Sequence, residues 1–482
     1  MTIARNAEVM TSPLPLNAAE GVAIEGLSQK KACMQQNSRT VLFLPRHPTS
    51  WQKMSLIAEV VSKSGRYRPL FLLACEPVIG YSDECKRLGF DYLIAASARV
   101  DPMKRPRVLR VWRLLRRQYA EFRKLLQNIN PVAIVVPGDR ELWPVPTMLR
   151  AAKDLGVAVL NAAYSVAASD AVAQNRFGLP EFRVEREHKP PLVNYVAAHL
   201  HPGQVRETPF GKMLFSPGWL TLTLGAVRML PLNPWVQGGG NSTYLLVNGP
   251  QVAEDAIGRG VPQHKIRMIG DPAVDVLHER WSARSEIRNE LCDEHRFVKE
   301  RKLVICAVPI YAEHKLTDWD THLTGLDRAF AAMASQDANI LLSFHPKSNV
   351  ESYRHLLEKY HLKYTSRVLR DILPAADIFV CGGSSTLFWA GYCGIPTINL
   401  DYAGVSSVGT QSTEGTILAR TAEDVSSSLS RWIGVPVSYR QAVAAQQEDY
   451  GAQALFDGCS AGRLIALLDE LRDKGRDRPS RN

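Results

Sequence analysis

Residues 371–401 read DILPAADIFVCGGSSTLFWAGYCGIPTINLD. The stretch predicts a short helix, a buried strand at 378–380, a glycine turn and a helix that begins at Ser384, with a second buried strand at 396–400. A glycine turn that opens into a helix directs free backbone N–H groups and the positive end of the helix dipole at one point, and nearby hydroxyls add further donors. The stretch therefore predicts an anion-binding turn made of Gly383, Ser384, Ser385 and Thr386.

A second motif, FHPK at 344–347, lies at the end of an apolar strand predicted at 340–343. Ligands of parallel sheets bind at the carboxyl ends of the strands, so these two strand ends are expected to meet. His345 contributes an imidazole and Lys347 an ammonium group beside the anion-binding turn. The combination predicts a site for the phosphates of a nucleotide sugar.

The bulk composition is that of an ordinary soluble globular protein, since 45% of the 482 residues are hydrophobic and 22% are charged. This length favours two or three domains. Residues 1–38 lack aromatic residues and a continuous apolar run, so we expect a disordered tail and no secretory signal. The eight cysteines are scattered without a CxxC pair, which favours reduced thiols in a cytoplasmic protein over a zinc site or disulfides.

Apolar strands alternate with helical segments along the chain, which predicts parallel sheets covered by helices on both faces. The expected fold class is α/β, with two Rossmann-like domains whose parallel sheets face a cleft. The expected divisions are a tail at 1–38, an N-terminal domain at 39–281 with an apolar insertion at 205–237, a linker at 282–301, a C-terminal domain at 302–440, and terminal helices at 441–482.

The net charge of +10 is concentrated in one predicted helix at 104–126. Apolar residues recur there at helical spacing, so one face is apolar and the other basic. The helix either packs into the core and leaves a solvated charged face, or it meets anionic lipid headgroups or an acidic acceptor. Nothing else in the sequence favours nucleic acid as a partner. The basic residues are Lys104, Arg105, Arg107, Arg110, Arg113, Arg116, Arg117, Arg123 and Lys124.

A second segment, 210–235, is a further candidate for contact with an anionic membrane surface. Its only charged residues are Lys212 and Arg228. Pro217 and Pro231 interrupt it, so a membrane-spanning helix is not expected. The segment is expected to lie on a membrane or to pack between the domains.

Between residues 40 and about 460 the chain resembles the GT-B superfamily, in particular the branch that holds non-hydrolysing UDP-N-acetylglucosamine 2-epimerases and bacterial surface-polysaccharide glycosyltransferases. Three segments carry the resemblance. GRGVPQHKIRMIGDPAVDVL at 258–277 resembles the segment that closes the first domain of that superfamily, FHPKSN at 344–349 resembles its His-Pro motif, and 371–401 resembles its donor-phosphate turn.

The epimerase pattern matches only in part. Asp139 in VPGDRE matches the aspartate of the epimerase Gly-Asp motif, and Arg46 stands where an N-terminal arginine is expected. The segment 159–165 lacks the expected glutamate, and 385–387 lacks the expected glutamate pair. Because an epimerase needs a base and an acid across one carbon, the resemblance leaves this activity as an alternative.

The His-Pro motif together with the Ser/Thr turn resembles bacterial sialyltransferases, Kdo transferases and glycerophosphate transferases. In those families the histidine and the hydroxyl turn bind the donor phosphate, often that of a cytidine nucleotide. The resemblance implies a glycosyltransferase that takes sugar from a nucleotide-sugar donor and extends a lipid-linked or polysaccharide acceptor during synthesis of capsule, O-antigen or exopolysaccharide. A GT-B scaffold without catalytic activity is the second alternative.

Glycosyl transfer needs a base for the acceptor hydroxyl and charge stabilisation for the departing phosphate. The base candidates are Asp139, which follows a strand of the first domain, and the Glu313-His314 pair, which follows a strand of the second. Basic groups and a helix end would neutralise the phosphate, so we expect no metal and no cofactor. Contacts with acceptor or phosphate are expected from Arg46, His47 and Glu141.

Overall fold

The computed structural model describes residues 39–46, 48–74, 78–95, 108–140, 144–162, 172–173, 176, 178–185, 190–345, 348–405 and 412–476. The strands are β1 (Thr40–Phe43), β2 (Arg68–Leu73), β3 (Asp91–Ile94), β4 (Ala133–Val136), β5 (Ala158–Asn161), β6 (Val205–Thr208), β7 (Gly211–Leu214), β8 (Tyr244–Val247), β9 (Ile266–Met268), β10 (Lys302–Ala307), β11 (Ala338–Ser343), β12 (Lys363–Thr365), β13 (Ile378–Cys381), β14 (Thr397–Leu400) and β15 (Thr416–Ala419).

Helices connect most of these strands, as expected for parallel sheets. They are α1 (Pro48–Lys63), α2 (Val78–Leu88), α3 (Val108–Ile129), α4 (Val145–Leu155), α5 (Leu192–Leu200), α6 (Gly218–Ala226), α7 (Pro250–Gly258), α8 (Pro272–Ser282), α9 (Arg284–His295), α10 (Trp319–Ala334), α11 (Arg354–Lys359), α12 (Leu369–Ile372), α13 (Thr386–Tyr392), α14 (Ala422–Gly434), α15 (Pro436–Gly451) and α16 (Ser460–Arg476).

Two separate parallel sheets form the framework of the molecule, which confirms the predicted α/β class. The first sheet has the order β3-β2-β1-β4-β5-β8-β9, and the second has the order β12-β11-β10-β13-β14-β15. Successive side chains of each central strand enter opposite cores. Leu303 and Ile305 pack on one face of the second sheet, whereas Val304 and Cys306 pack on the other. Burial on both faces explains why these strands are continuous apolar runs.

Three strands at or near sheet edges were not predicted. β9 and β12 are three residues long and read IRM and KYT, and β15 reads TILA with two half-buried residues. Short edge strands with polar or exposed side chains lack the apolar run that marks a central strand. The edge strands therefore had to be found from their pairing with β8, β11 and β14.

The predicted linker at 282–301 is largely part of the second domain. The helix α9 occupies most of it, and Ile287 and Leu291 lie in the second core, 4% and 0% exposed. The predicted boundary at residue 440 also falls inside α15, whose Ala442 and Tyr450 lie in the cores of the second domain. Both helices carry polar residues on their outer faces, and their sequences were therefore interpreted as connecting segments.

The last helix, α16, returns to the first domain. Its residues Leu464, Leu467, Leu468 and Leu471 pack into the same core as β1 and β2. Its first turn is held by Asp275 of α8, whose carboxylate accepts a hydrogen bond of 2.5 Å from the Ser460 hydroxyl. The chain therefore passes between the domains twice, once through α8 and once before α16.

The apolar insertion folds as an antiparallel hairpin, β6–β7, followed by α6. Leu220 and Leu224 of α6 pack against Val111 and Leu115 of α3 in one cluster. The apolar faces of both predicted membrane-contact segments are therefore largely buried against each other. The basic side chains of α3, from Arg110 onward, stay exposed, whereas Lys104, Arg105 and Arg107 lie outside the described residues.

Candidate active site

The second sheet brings the predicted donor-binding motifs to neighbouring strand ends. β10 lies between β11 and β13. His345 follows β11, Glu313 follows β10, and the turn at 382–386 follows β13. Since all of these strands are parallel, the three segments emerge at the same edge of the sheet, where open α/β sheets bind ligands.

The glycine turn is shaped by close packing against the loop that follows β10. A Cβ atom on Gly382 would lie 2.6 Å from Pro309 Cγ and 2.8 Å from Tyr311 Oη, so a larger residue does not fit. Gly383 has a φ of 39°, which favours glycine. Its N–H donates to Asn399 Oδ1 at 2.8 Å. The turn is therefore fixed from β14 as well as from the β10 loop.

The helix after this turn begins at Thr386, two residues later than predicted, and contains seven residues. The Ser384 hydroxyl oxygen accepts hydrogen bonds from the Thr386 hydroxyl at 3.0 Å and from the Thr386 N–H at 3.3 Å. Ser385 is exposed, and Ser384 and Thr386 are half-buried. The N–H groups of Gly383 and Thr386 and the Thr386 hydroxyl thus donate inside the fold, which leaves the hydroxyls of Ser384 and Ser385 as side-chain donors for an anion.

His345 lies on the exposed surface at the end of β11, and Pro346 and Lys347 lie outside the described residues. The loop is anchored on both sides of this gap. The Ser348 N–H donates to the His345 carbonyl at 2.8 Å, and the Ser348 hydroxyl donates to Glu313 Oε1 at 2.9 Å. The loop that carries His345 is therefore tied to the loop that carries Glu313.

Glu313 belongs to a network that reaches into the second core. Its Oε1 atom accepts a hydrogen bond of 2.5 Å from the Tyr353 hydroxyl. The Tyr353 oxygen lies 3.1 Å from His322 Nε2, and the Tyr402 hydroxyl lies 2.9 Å from His322 Nδ1. His322 is completely buried, and its Nε2 is 3.9 Å from Glu313 Oε2. Among the described residues, that second carboxylate oxygen has no hydrogen-bond partner.

The donors and acceptors in this network follow one order. An ionised Glu313 only accepts hydrogen bonds, so Tyr353 donates to it and must accept from His322 Nε2–H. The other ring nitrogen then accepts from the Tyr402 hydroxyl. Burial lowers the pKa of His322, against the opposing effect of Glu313, which keeps the imidazole neutral at pH 7 and agrees with this order. Burial also raises the pKa values of both tyrosines, which stay protonated.

The predicted Glu313-His314 pair does not form a single constellation. Glu313 points into the network, whereas the adjacent His314 is exposed. The histidine beside Glu313 is His322 on α10, which the sequence reasoning missed. It shares a helical stripe with Leu326 and Phe330, so it reads as a core residue.

The prediction of a metal-free reaction missed an Asp-x-Asp stretch, Asp318-Trp319-Asp320, which precedes this stripe. Asp318 is the N-cap of α10, and its carboxylate accepts hydrogen bonds from the Thr321 N–H at 2.7 Å and from the Thr321 hydroxyl at 2.8 Å. These bonds lower the pKa of Asp318. Within the described residues, no cluster of three or more His, Cys, Asp or Glu side chains is arranged to hold a metal ion.

Asp139, a predicted base, has a structural environment. It is 1% exposed. Its Oδ2 accepts from the Ser242 hydroxyl at 2.6 Å and its Oδ1 accepts from the Gly238 N–H at 3.2 Å. Gly240 packs so closely on the Asp139 carbonyl that a side chain does not fit there. The carboxylate therefore fastens the segment before β8 and is not open to an acceptor.

Comparison with known structures gives the architecture a name. A UDP-GlcNAc 2-epimerase from Neisseria meningitidis bound to UDP-GlcNAc aligns with 89% of this chain and 100% of its own, with a TM-score of 0.51 and 11% identity. A glycosyltransferase from Rickettsia africae aligns with 90% of this chain and 99% of its own, with a TM-score of 0.51 and 9% identity. The fold is GT-B. Neither a protein-family model nor a curated protein matches the sequence.

The N-terminal GT-B domain holds the remaining predicted residues at the ends of β1 and β4. Arg46 is half-buried, and its N–H donates to the Ser50 hydroxyl at 2.9 Å. His47 and Glu141 lie outside the described residues.

Two arginines that were not predicted lie near the end of β4. Arg140 is 7% exposed and donates to the Trp235 carbonyl at 3.3 Å. Burial, and then the neighbouring Arg140, lower the pKa of Arg176 to about 10, so the Arg176 guanidinium is still charged at pH 7.

The described helices of this GT-B chain are all too short or too polar to cross a membrane. The long helix α3 is strongly amphipathic. Its buried residues include Val111, Leu115 and Phe122, and its exposed face carries the arginines.

Proposed function

We propose that this chain is a glycosyltransferase that takes a nucleotide-sugar donor on its C-terminal GT-B domain and builds a bacterial surface polysaccharide. The observation that carries the proposal is the meeting of the His345, Glu313 and 382–386 segments on neighbouring strand ends. A histidine, three clustered hydroxyls and a rigid glycine turn on one edge suit the phosphates of a nucleotide sugar.

The residues divide into binding, positioning and catalytic roles. His345, Lys347, Ser384, Ser385 and Thr386 would hold the donor phosphates, and Gly383 would keep the turn in shape. Glu313 would position the His345 loop through Ser348, because its Oε1 atom is committed to two hydrogen bonds inside the fold. Losing one donor that stabilises developing charge costs about 100- to 1,000-fold in rate.

We assign the acceptor base to His314. Of the three predicted base candidates, Asp139 and Glu313 are held by internal hydrogen bonds. His314 is exposed beside the donor edge, and histidine is the side chain that most often removes a proton in general base catalysis. His314→Gln is expected to lower kcat by about 100-fold or more while the donor affinity stays unchanged.

Product analysis tests the proposed reaction. The enzyme is incubated with labelled UDP-, GDP-, CDP- and CMP-sugars, with and without lipid-linked glycan extracted from bacterial membranes. A transferase moves label into the lipid or polymer fraction only when the acceptor is present, and the proposed metal-free mechanism keeps this activity in EDTA. An epimerised nucleotide sugar formed without acceptor would replace the proposal with the same-fold alternative. Neither product from any donor would favour the scaffold.

We further propose that the protein sits in the cytoplasm, with the exposed face of α3 against an anionic membrane surface. Six cations of α3 are exposed: Arg110, Arg113, Arg116, Arg117, Arg123 and Lys124. Exposed apolar side chains lie close by in the fold, because α5, with Leu192 78% and Leu200 59% exposed, packs on α6, which packs on α3. Basic and apolar groups together favour the surface of an anionic bilayer.

Sedimentation with liposomes of anionic and of neutral lipid tests this contact. Binding to anionic liposomes is expected to fall at high salt and in Arg113→Glu/Arg117→Glu. Equal binding by the wild type and this variant would remove α3 from the proposal.

A further inference from the structure

A large cavity lies at the end of the first sheet where its strands begin, opposite the carboxyl ends of β1 and β4. Its floor includes Val132, Val157 and Thr243, which lead into β4, β5 and β8, and its wall includes Leu471 near the end of α16. The cavity is open to solvent and holds about 1400 Å³. Small-ligand sites typically hold roughly 300–1,000 Å³, so this groove suits a larger ligand.

The charge of the lining is one-sided. Six lysine and arginine residues and one histidine line the groove, and no aspartate or glutamate is among the described lining residues. The exposed hydroxyl of Thr243 and the half-buried amide of Asn241 also line the groove, whereas the Ser242 hydroxyl is buried against Asp139. The lysine, arginine and histidine residues of the lining are Arg39, Lys153, His264, Lys265, Arg267, Arg472 and Lys474.

These side chains differ in whether they already form ion pairs or hydrogen bonds within the protein. Arg267 and Lys474 share Glu470, at 3.2 Å and 2.6 Å, and Arg472 pairs with Asp469 at 3.3 Å. Lys265 donates to the Gly240 carbonyl at 2.8 Å, and burial lowers its pKa. In the described part of the chain, no ion pair involves Arg39, Lys153 or His264. Arg39 and Lys153 are exposed, so their charges are available to a ligand.

The lining also restricts the kind of polyanion. Single-stranded nucleic acids are held largely by bases stacked on aromatic rings. Tyr244 is the aromatic residue among the described lining residues, and the Arg267 guanidinium covers its ring at 4.3 Å from the centroid. An exposed hydroxyl, on Thr243, and the side-chain amides of Asn130 and Asn241 beside cations suit a polymer whose repeating units carry both hydroxyl and acidic groups.

We propose that this groove binds an anionic glycan, a sugar polymer that bears carboxylate or phosphate groups. The choice of a glycan over other anionic polymers rests on the proposed function. The groove lies in the other domain from the donor edge, so it would hold a distant part of a growing polymer. Such a tether raises the effective concentration of the acceptor end at the reaction site.

Fluorescence anisotropy on the full-length protein tests the groove. The probe is a labelled oligogalacturonate of defined length, with a neutral dextran and a single-stranded oligonucleotide of similar length as comparisons. Arg39→Glu/Lys153→Glu is the groove variant. The control is Arg259→Glu/Lys363→Glu, which makes the same charge change at two exposed positions that do not line the groove.

The expected result is salt-sensitive binding of the acidic glycan that weakens at least tenfold in the groove variant and less than twofold in the control, with no binding of dextran. Equal weakening in both variants, tighter binding of the oligonucleotide, or no binding of the acidic glycan would each overturn the proposal. His345→Ala is expected to keep glycan binding. The experiment therefore tests glycan binding in the groove independently of donor binding at the His345 site.

Discussion

His322 is the residue on which the C-terminal network depends. Both of its ring nitrogens are hydrogen-bonded to tyrosine hydroxyls, and the ring is buried. Because burial lowers its pKa, the unfolded chain binds a proton at this residue at pH values where the folded chain does not. The contribution of neutral His322 to the free energy of unfolding is therefore complete at pH values above the unfolded pKa of about 6.5. This contribution is lost as the pH falls below that value.

His322→Gln is therefore expected to change both stability and its pH dependence. At pH 7.5 the free energy of unfolding should fall by about 1–3 kcal/mol, because the buried hydroxyls of Tyr353 and Tyr402 lose a partner of the right shape. The further loss between pH 7.5 and pH 5.5 should be smaller than in the wild type. Urea denaturation at the two pH values measures both effects, with the exposed His314→Gln as control. An unchanged pH dependence in His322→Gln would contradict this account.

A substitution of Asp139 distinguishes a structural role of this residue from a catalytic one. Asp139→Asn is expected to cost about 1.5–3 kcal/mol of stability, because a charge-assisted bond to Ser242 is lost in a buried site. Donor binding, measured by nucleotide titration, should be unchanged. Ser242→Ala is the matched control and should destabilise without adding to the effect of Asp139→Asn. A variant with normal stability and no turnover would return Asp139 to the base candidates.

At the residue level, the sequence predicted correctly which loops carry the candidate site. It predicted less well which side chains of those loops point toward one another. Glu313 was found because it follows an apolar strand, but the pattern assigned the adjacent His314 as its partner. The partner in the fold is His322, nine positions further along, brought in by the helix α10. Neighbouring residues on an irregular loop need not point the same way, and sequence spacing does not encode that direction.

At the level of elements, burial decided what could be predicted. The strands β13 at Ile378–Cys381 and β14 at Thr397–Leu400 were predicted to within one residue at each end, because both are buried and largely apolar. The edge strands β9 and β12 and the packing of α9 on the second sheet were not, because these segments are short or largely polar and lack a clear apolar pattern. The burial of α6 against α3 was likewise not predicted, because the apolar sequence of α6 is equally consistent with contact with a membrane surface.

The glycine turn after β13 is an element that tolerates no side chain at its first position. Gly382→Ala is expected to cost about 1–3 kcal/mol of stability, because the new methyl group overlaps Pro309 and Tyr311. Nucleotide affinity should fall as well, since the turn must shift. Thermal unfolding and nucleotide titration measure the two effects. Gly258→Ala, where a Cβ meets open space, is the control, and similar behaviour of both variants would contradict the close fit.

At the scale of the whole molecule, the returning helix α16 ties the C-terminal end of the chain to the N-terminal core. Leu468 is fully buried there. Leu468→Ala is expected to destabilise the protein by about 2–5 kcal/mol, with the loss of hydrogen-exchange protection concentrated in β1 and β2. Val437→Ala, at a position 55% exposed, should change stability by less than about 0.5 kcal/mol. Loss of protection confined to α16 itself would show that the helix is not part of this core.

The central proposal is that the C-terminal domain of this GT-B fold holds the phosphates of a nucleotide-sugar donor at the carboxyl ends of β10, β11 and β13. The most direct test is a thermal-shift titration with CMP, CDP, UDP, GDP and their sugar forms on the wild type, on His345→Ala, and on His355→Ala as an exposed histidine control in the same domain. A ligand at 100 times its dissociation constant adds about 2.7 kcal/mol of stability, which is readily seen. We predict a shift with one nucleotide class that is lost in His345→Ala and kept in His355→Ala. No shift with any nucleotide, or a shift that survives in His345→Ala, would contradict the assignment of the donor site.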